Sequence, residues 1–521
     1  MKITAIEDSV SLELKLLELM KEKGDWIDAE EMAKTLGIST KRTTSLINSL
    51  LHEIRSFDSD NLNLKILKGR GNLLEIKDAR DYRKFRQKLI ENIIIYKILF
   101  SIALNKDANL ERLAMENFVS ESLIKKRIAS ANQMMAKLGV KVVTRKKQYL
   151  FQGDEQQVRG MLNILFWRLY RGDEWPFSGV NKEKIIHLIS QISHEIDLQM
   201  NQFTAYQIAY MFAINFSRYQ RGFSVNLEEG WEKYRSICEW IDEKTDIYAL
   251  FYKNYGFPKH EVDFLLIEAM TKSKIYNSLE HKTPDFWSIL EGTPAFEATE
   301  RLVQKMEMHT GKLSEEKRRL FLRYIYPCHL HADLFSNIIF SESGHHAINI
   351  SSYFFPVMRQ SLKKLLAELY QESGLTLFLN EEYLIGEYIL ALSFFMPVQF
   401  QEKEITLFID TDLSEMLEKL LIRQIFNQFG HLYNLKIITS LSEPEQNVDI
   451  VISTSAMGEH SNLKKPAQLF LVHPFLTRRE IGDIEDYLHI LITKKDEVYS
   501  SFFVASHLPF FTPISFLIVL S

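Results

Sequence analysis

Two short sets of polar and basic side chains are spaced to read the groove of a nucleic acid. Thr40, Lys41, Thr44, Ser45 and Asn48 recur at helical spacing. On one helix face, their hydroxyl, ammonium and amide groups would donate to phosphates and base edges. Ser120, Ser122, Lys125, Lys126 and Arg127 form a second such set, with the three cations expected mainly on phosphates. Arg70 and the run Arg145-Lys146-Lys147 sit where the flanking residues predict hairpin tips, adding contacts that tolerate any sequence. The chemistry is charge-assisted hydrogen bonding rather than bond making.

Those side chains need particular elements beneath them. Ala29 to Leu50 reads as a helix-turn-helix, with Ala33 small at the crossing, Gly37 free to take the positive φ of the turn, and Ser39 as N-cap. Thr43, Ile47, Leu50 and Ile54 then face a core. Leu110 to Met135 repeats the pattern with Ala114, Val119 and Ser120; Ile124, Ile128, Ala131 and Met135 face inward, and Glu121 outward. Phe118 stands where glycine is common, and Asn117 where an apolar residue is expected. A hairpin follows each pair, LNLKILKGRGNLLEI with Gly69-Arg70-Gly71 as its turn and VKVVTRKKQYLF with the basic run at its tip. Helix-turn-helix plus hairpin predicts a winged helix.

Charge agrees with this. Residues 61–150 hold 20 Lys+Arg against 8 Asp+Glu, inside a 521-residue chain of net charge −5. A basic block coincident with a helix-turn-helix is the electrostatic footprint of a DNA reader. The length predicts three to five domains. With 12 Pro and 20 Gly, the composition favours helix-rich globular structure. Cys238 and Cys328 make neither a disulfide framework nor a metal spacing, which fits a cytoplasmic protein. His329-Leu330-His331 and His345-His346 lack further ligands at zinc spacing. There is no GxxxxGK[ST], HExxH or CxxC motif, so no enzyme, metal or cofactor is expected.

Residues from about 160 to 395 read as helices. Lys182 to Met200 keeps an apolar face through Ile185, Leu188, Ile189, Ile192 and Ile196, and a weak repeat offset by 114 residues maps Leu188, Ile189 and Ile192 onto Leu302, Val303 and Met306, and Tyr210 onto Tyr324. Two tandem bundles follow, with a seam near Thr283 to Gly292. From Glu404 onward short strands alternate with helices, predicting a small α/β domain with a parallel sheet. Residues 498–521 carry no charge; two prolines interrupt them, and a segment docked on a partner or on the preceding domain is expected rather than a membrane anchor.

This order of parts resembles the Mga and AtxA class of virulence regulators of Gram-positive bacteria. The residues that carry the resemblance are FVSESLIKKRI (Phe118 to Ile128), including its Phe, and GDEQQVRGMLNILFW (Gly153 to Trp167). The resemblance implies a mainly α, multidomain chain. Its parts are winged helix-turn-helix domains at 1–78 and 79–155, bundles like the regulatory domains of the sugar phosphotransferase system (PRD-like) at 160–283 and 284–398, a IIB-like α/β domain at 402–498, and an apolar tail at 499–521. It also implies a transcriptional activator that binds duplex DNA, forms a homo-oligomer (a dimer), and meets a phosphocarrier protein and RNA polymerase. Histidine phosphorylation would tune it, with His194, His260, His309, His329 and His331 as candidates. An active IIB component carries a cysteine in the loop after its first strand. Here that loop is Asp410-Thr411-Asp412-Leu413-Ser414, which excludes phosphocysteine chemistry and argues against a phosphocarrier enzyme. An RNA-binding antiterminator also uses paired bundles, but that class opens with a small β-rich domain.

Overall fold

The computed structural model describes residues 9–104, 107–226, 231–282, 286–310, 312–339, 354–395, 397–440, 447–455 and 467–493. The uncharged segment 498–521 and His345-His346 lie outside them. The described chain is mainly helical and closes on a small parallel sheet. None of its helices is long and apolar enough to cross a membrane.

The N-terminal third repeats one arrangement twice. Helix α1 (Ser9–Lys23) precedes the pair α2 (Ala29–Leu36) and α3 (Thr40–Ser56), followed by strands β1 (Leu62–Leu67) and β2 (Gly71–Ile76). Two helices, α4 (Ala79–Asn92) and α5 (Ile94–Leu104), lead to the pair α6 (Leu110–Glu116) and α7 (Glu121–Met135) and to strands β3 (Lys141–Arg145) and β4 (Gln148–Gln152). Both hairpins are antiparallel. In each unit, a residue just before the helix pair bridges the second hairpin strand: Ile27 to Asn72 and Asn109 to Gln148. This close approach requires Gly71, with φ of 101°, because a Cβ there would lie 2.6 Å from the Ile27 carbonyl oxygen. In the second unit Asn132 of α7 pins the hairpin, accepting from the Val142 N–H (2.6 Å) and donating to its carbonyl (2.9 Å).

Helix α8 (Glu155–Tyr170) carries the chain into the bundles. Almost every residue of it is buried, because α5 covers one side, with Phe100 and Phe166 rings 5.0 Å apart, and Phe335 seats on Gly160 at another. A Cβ on Gly160 would meet that ring at 2.6 Å. Helices α9 (Lys182–Glu195), α10 (Gln202–Gln220), α11 (Arg235–Thr245), α12 (Ile247–Tyr255) and α13 (Lys259–Ala269) surround α8 or pack on one another. Next come α14 (Ser273–Lys282) and α15 (Phe286–Leu290). The second set is α16 (Pro294–Thr310), α17 (Glu315–Leu334), α18 (Pro356–Ser373) and α19 (Glu381–Phe395). The sequence repeat maps α9 onto α16 and α10 onto α17. Its apolar members are buried in both copies, whereas Tyr210 is fully buried and Tyr324 partly exposed.

The sheet comes last. Strands β5 (Ile405–Asp410), β6 (Leu435–Ile438), β7 (Ile450–Ser453) and β8 (Gln468–Leu471) run parallel in the order β6-β5-β7-β8, with α20 (Glu415–Phe429) and α21 (Arg478–Thr493) packed on them. Parallel neighbours need crossovers, and α20 supplies the one between β5 and β6.

One cluster of buried apolar side chains runs from Leu12 to Ala295 and takes in Tyr326, Leu330, Leu334, Phe335, Ile338 and Ile339 from the end of α17 onward, joining the helix-turn-helix units to the first set of bundle helices. Separate cores hold the second set and the sheet.

Candidate nucleic-acid interface

Helix α3 starts sharply because the Ser39 hydroxyl accepts the Arg42 N–H (3.3 Å), and Gly37, at φ 64°, closes the helix before it. Thr43, Leu46, Ile47, Leu50 and Ile54 are then buried, and Thr40, Lys41, Thr44, Ser45 and Asn48 are all exposed. The Thr44 hydroxyl donates to the Thr40 carbonyl (2.9 Å), leaving its lone pairs to face outward. Arg42, absent from the sequence-derived set, is exposed on the first turn of the same helix. Its signal was available, since it stands three residues before Ser45.

Helix α7 repeats the design. Ser120 caps it through the Leu123 N–H (3.4 Å), with its oxygen 3.0 Å from that of Ser122. Ser122, Lys125 and Lys126 are exposed. Arg127 is not: only 8% of it is accessible. It lies three residues after Ile124 and four before Ala131, both buried, so the helical period turns it inward. The expectation that Arg127 joins its neighbours on phosphates is corrected accordingly. The turn before α7 is held by Phe118 at φ 53°, and this side chain is 96% exposed beside Met115 at 70%. Asn117 is half-buried and donates to the Leu113 carbonyl (2.8 Å), which suits a polar residue at that site.

The two hairpin tips differ. The first turns at Lys68-Gly69-Arg70, one residue earlier than the sequence suggested, because Gly71 already pairs with Leu67. The Arg70 guanidinium lies over the Trp26 ring, 4.7 Å from its centroid, and remains exposed. The second is a two-residue turn, Lys146-Lys147, with Arg145 paired to Gln148. Both lysines have positive φ (49° and 64°), the geometry of a type I′ turn. Arg145, Lys146 and Lys147 are all exposed.

The histidines separate by burial. His194 is exposed at the end of α9. His260 is partly exposed, with Nε2 2.9 Å from the Ser224 hydroxyl and 3.7 Å from Glu261. His329 is fully buried; Nδ1 meets the Thr299 hydroxyl (2.7 Å) and Nε2 the Tyr388 hydroxyl. His331 is 5% exposed, its ring 4.5 Å from that of Tyr383. Burial pulls both imidazoles down to about 3, so they stay neutral. Neither His329 nor His331 offers a nitrogen to a phosphodonor protein in this fold, which corrects their place among the candidates. The side chain of His309 lies outside the described residues. In the loop after β5, Thr411 donates to Glu418 (2.8 Å) and Asp412 accepts from Thr454 (2.6 Å). Cys238 and Cys328 stand elsewhere, in α11 and α17.

A family profile described as the Mga helix-turn-helix domain matches residues 78–166. Its span opens at Asp78, the N-cap of α4, and ends inside α8. Among named proteins, the chain is 21% identical over 275 residues to the capsule synthesis positive regulator AcpB of Bacillus anthracis, covering 52% of this chain and 55% of that one. The anthrax toxin expression trans-acting positive regulator of the same organism is 21% identical over 266 residues, 51% of this chain and 54% of the relative. A putative trans-acting regulator of Streptococcus pneumoniae is 21% identical over 229 residues, 42% and 43% of the two chains. The chain thus spans about half the length of the relatives it matches. Their names are those of regulators rather than enzymes. Residues 78–166 are an Mga-type helix-turn-helix domain, and the chain that carries them is Mga/AtxA-like.

Proposed function

We propose that this protein is a DNA-binding transcriptional regulator, an activator working in the cytoplasm, that grips duplex DNA through tandem winged helices. The observation that carries the reading is the duplicated arrangement: two capped helices, α3 and α7, with polar and basic outward faces, each followed by a hairpin with cations at its tip. Such helices lie in major grooves, and such tips follow phosphates or enter the minor groove. Thr40, Lys41, Arg42, Thr44, Ser45, Asn48, Ser122, Lys125 and Lys126 form the helix contacts, and Arg70 with Arg145 to Lys147 the tip contacts. Activation is supported by the names of two relatives, both positive regulators. Association as a homodimer, contact with RNA polymerase, and control by a phosphocarrier protein acting on PRD-like bundles complete the proposal. On accessibility, His194 and His260 are the preferred phosphoacceptors.

Fluorescence anisotropy of the full chain with duplex DNA across a salt series tests the central claim. The expected result is binding whose log affinity falls steeply and linearly with log salt. Salt-insensitive binding, or preference for an RNA hairpin over duplex, overturns it.

A further inference from the structure

The turns that precede α3 and α7 are closed by the same backbone hydrogen bonds. In the first, the Gly37 N–H donates to the Lys34 carbonyl (3.3 Å) and the Ile38 N–H to the Ala33 carbonyl (3.1 Å). In the second, the Phe118 N–H donates to Met115 (3.2 Å) and the Val119 N–H to Ala114 (3.0 Å), at the same two spacings. Gly37 and Phe118 are therefore equivalent positions, both left-handed, at φ 64° and 53°. A glycine satisfies the fold there. A bulky side chain in this conformation is strained, and 96% of Phe118 lies in water. Packing within the chain offsets neither the strain nor the exposure, so the ring has its use outside the chain.

Its neighbours indicate the partner. Phe118 stands two residues before Ser120, the N-cap of α7, and the N-terminal end of such a helix is the end that meets base edges in a major groove. Ser122, Lys125 and Lys126 are exposed on the turns that follow. Two acids are close: Glu116 is paired with Arg112 (2.6 Å), and Glu121 is exposed on the first turn of α7, where base amino groups can donate to it. Between Leu67 and Phe203, Met115 and Phe118 are the exposed large apolar side chains among the described residues. A spot of two side chains in polar surroundings falls far short of a protein interface of about 800 Å² a side. We propose, resting on the DNA-binding reading above, that Phe118 packs on the 5-methyl group of thymine in the major groove and so sets a base preference of the second unit. That methyl is the apolar group a base edge offers there. Lysines on phosphates carry no such preference. An apolar contact releases no counterions, so it changes affinity without changing the salt slope.

The test compares, by fluorescence anisotropy of the full chain, an alternating A·T duplex with the same duplex carrying deoxyuridine at every thymine. The exchange removes the methyl groups and keeps every hydrogen-bonding group of the base pairs. The wild-type chain should prefer the thymine duplex by at least about fourfold, the worth of one buried methyl. Phe118→Gly installs the residue that the first unit uses at this position, so its urea midpoint should equal or exceed that of the wild type. In F118G the thymine preference should shrink by about fourfold, with the salt slope unchanged. K125A/K126A should do the reverse, keeping the preference and lowering the slope. A wild-type chain without thymine preference, or the same preference in wild type and F118G, overturns the proposal. F118G that keeps wild-type affinity for both duplexes assigns the ring to a protein partner and also overturns it. Failure of the DNA-binding reading looks different: neither protein then shows salt-dependent binding to either duplex, and the proposal falls with that reading.

Discussion

At the scale of single residues, α7 separates two lysines from their arginine neighbour. Lys125 and Lys126 are exposed, and Arg127 is turned into the core. Replacing both lysines by Ala should weaken duplex binding alike for all sequences and lower the salt slope by about 2, as expected for two lost phosphate contacts. The anisotropy salt series measures this, and an unchanged slope would remove α7 from the interface. Adjacency in the sequence suggested three phosphate ligands; the helical period, read from Ile124 to Ala131, already held the correction. The buried histidines were less legible. The partners of His329, Thr299 and Tyr388, come from α16 and α19, and no local pattern announces such contacts. Burial keeps His329 and His331 neutral in the fold, so below about pH 6.5 the unfolded chain binds protons that the folded chain refuses. Stability is fully present above that pH and declines toward pH 3, by roughly 1–2 kcal/mol per histidine at pH 5. Urea midpoints between pH 7.5 and 5 should fall, and His329→Gln should flatten the decline.

At the scale of elements, the second hairpin holds its charges in a backbone conformation that lysine disfavours. A left-handed non-glycine residue costs roughly 1–2 kcal/mol, and Lys146 and Lys147 are two in succession. Asn-Gly is the preferred pair for this turn. Replacing Lys146 by Asn and Lys147 by Gly should therefore stabilise the protein by about 1 kcal/mol in denaturant while weakening DNA binding and lowering its salt slope. If affinity were unaffected, the tip would lie off the DNA. Elements with local signals were legible: the capping serines Ser39 and Ser120, the turn glycine Gly37, and the alternation of strands and helices after Glu404 all match the structure. The turn of the first hairpin was misplaced by one residue, since Gly71 is fixed by its approach to Ile27 rather than by the local pattern of glycines.

At the scale of the whole molecule, the shared core means that the helix-turn-helix units do not end where the sequence composition shifts. Helix α8 is buried from both sides, by α5 and by Phe335 of the bundle region. Arg221 of the bundle reaches back to the Ile102 and Ala103 carbonyls (2.7 and 2.8 Å) at the end of α5. A fragment ending at residue 158 cuts α8 near its start and should melt at a lower temperature, and less cooperatively, than one ending at residue 282. Equal melting curves would show that the N-terminal part stands alone. The same packing has a consequence for the DNA. Helix α4 leans on α1 and α5 on α7, so the two reading heads are set apart as on a ruler rather than strung on a tether. An operator read by both must then present its two half-sites in one helical phase. Five inserted base pairs should abolish joint recognition, and ten should largely restore it.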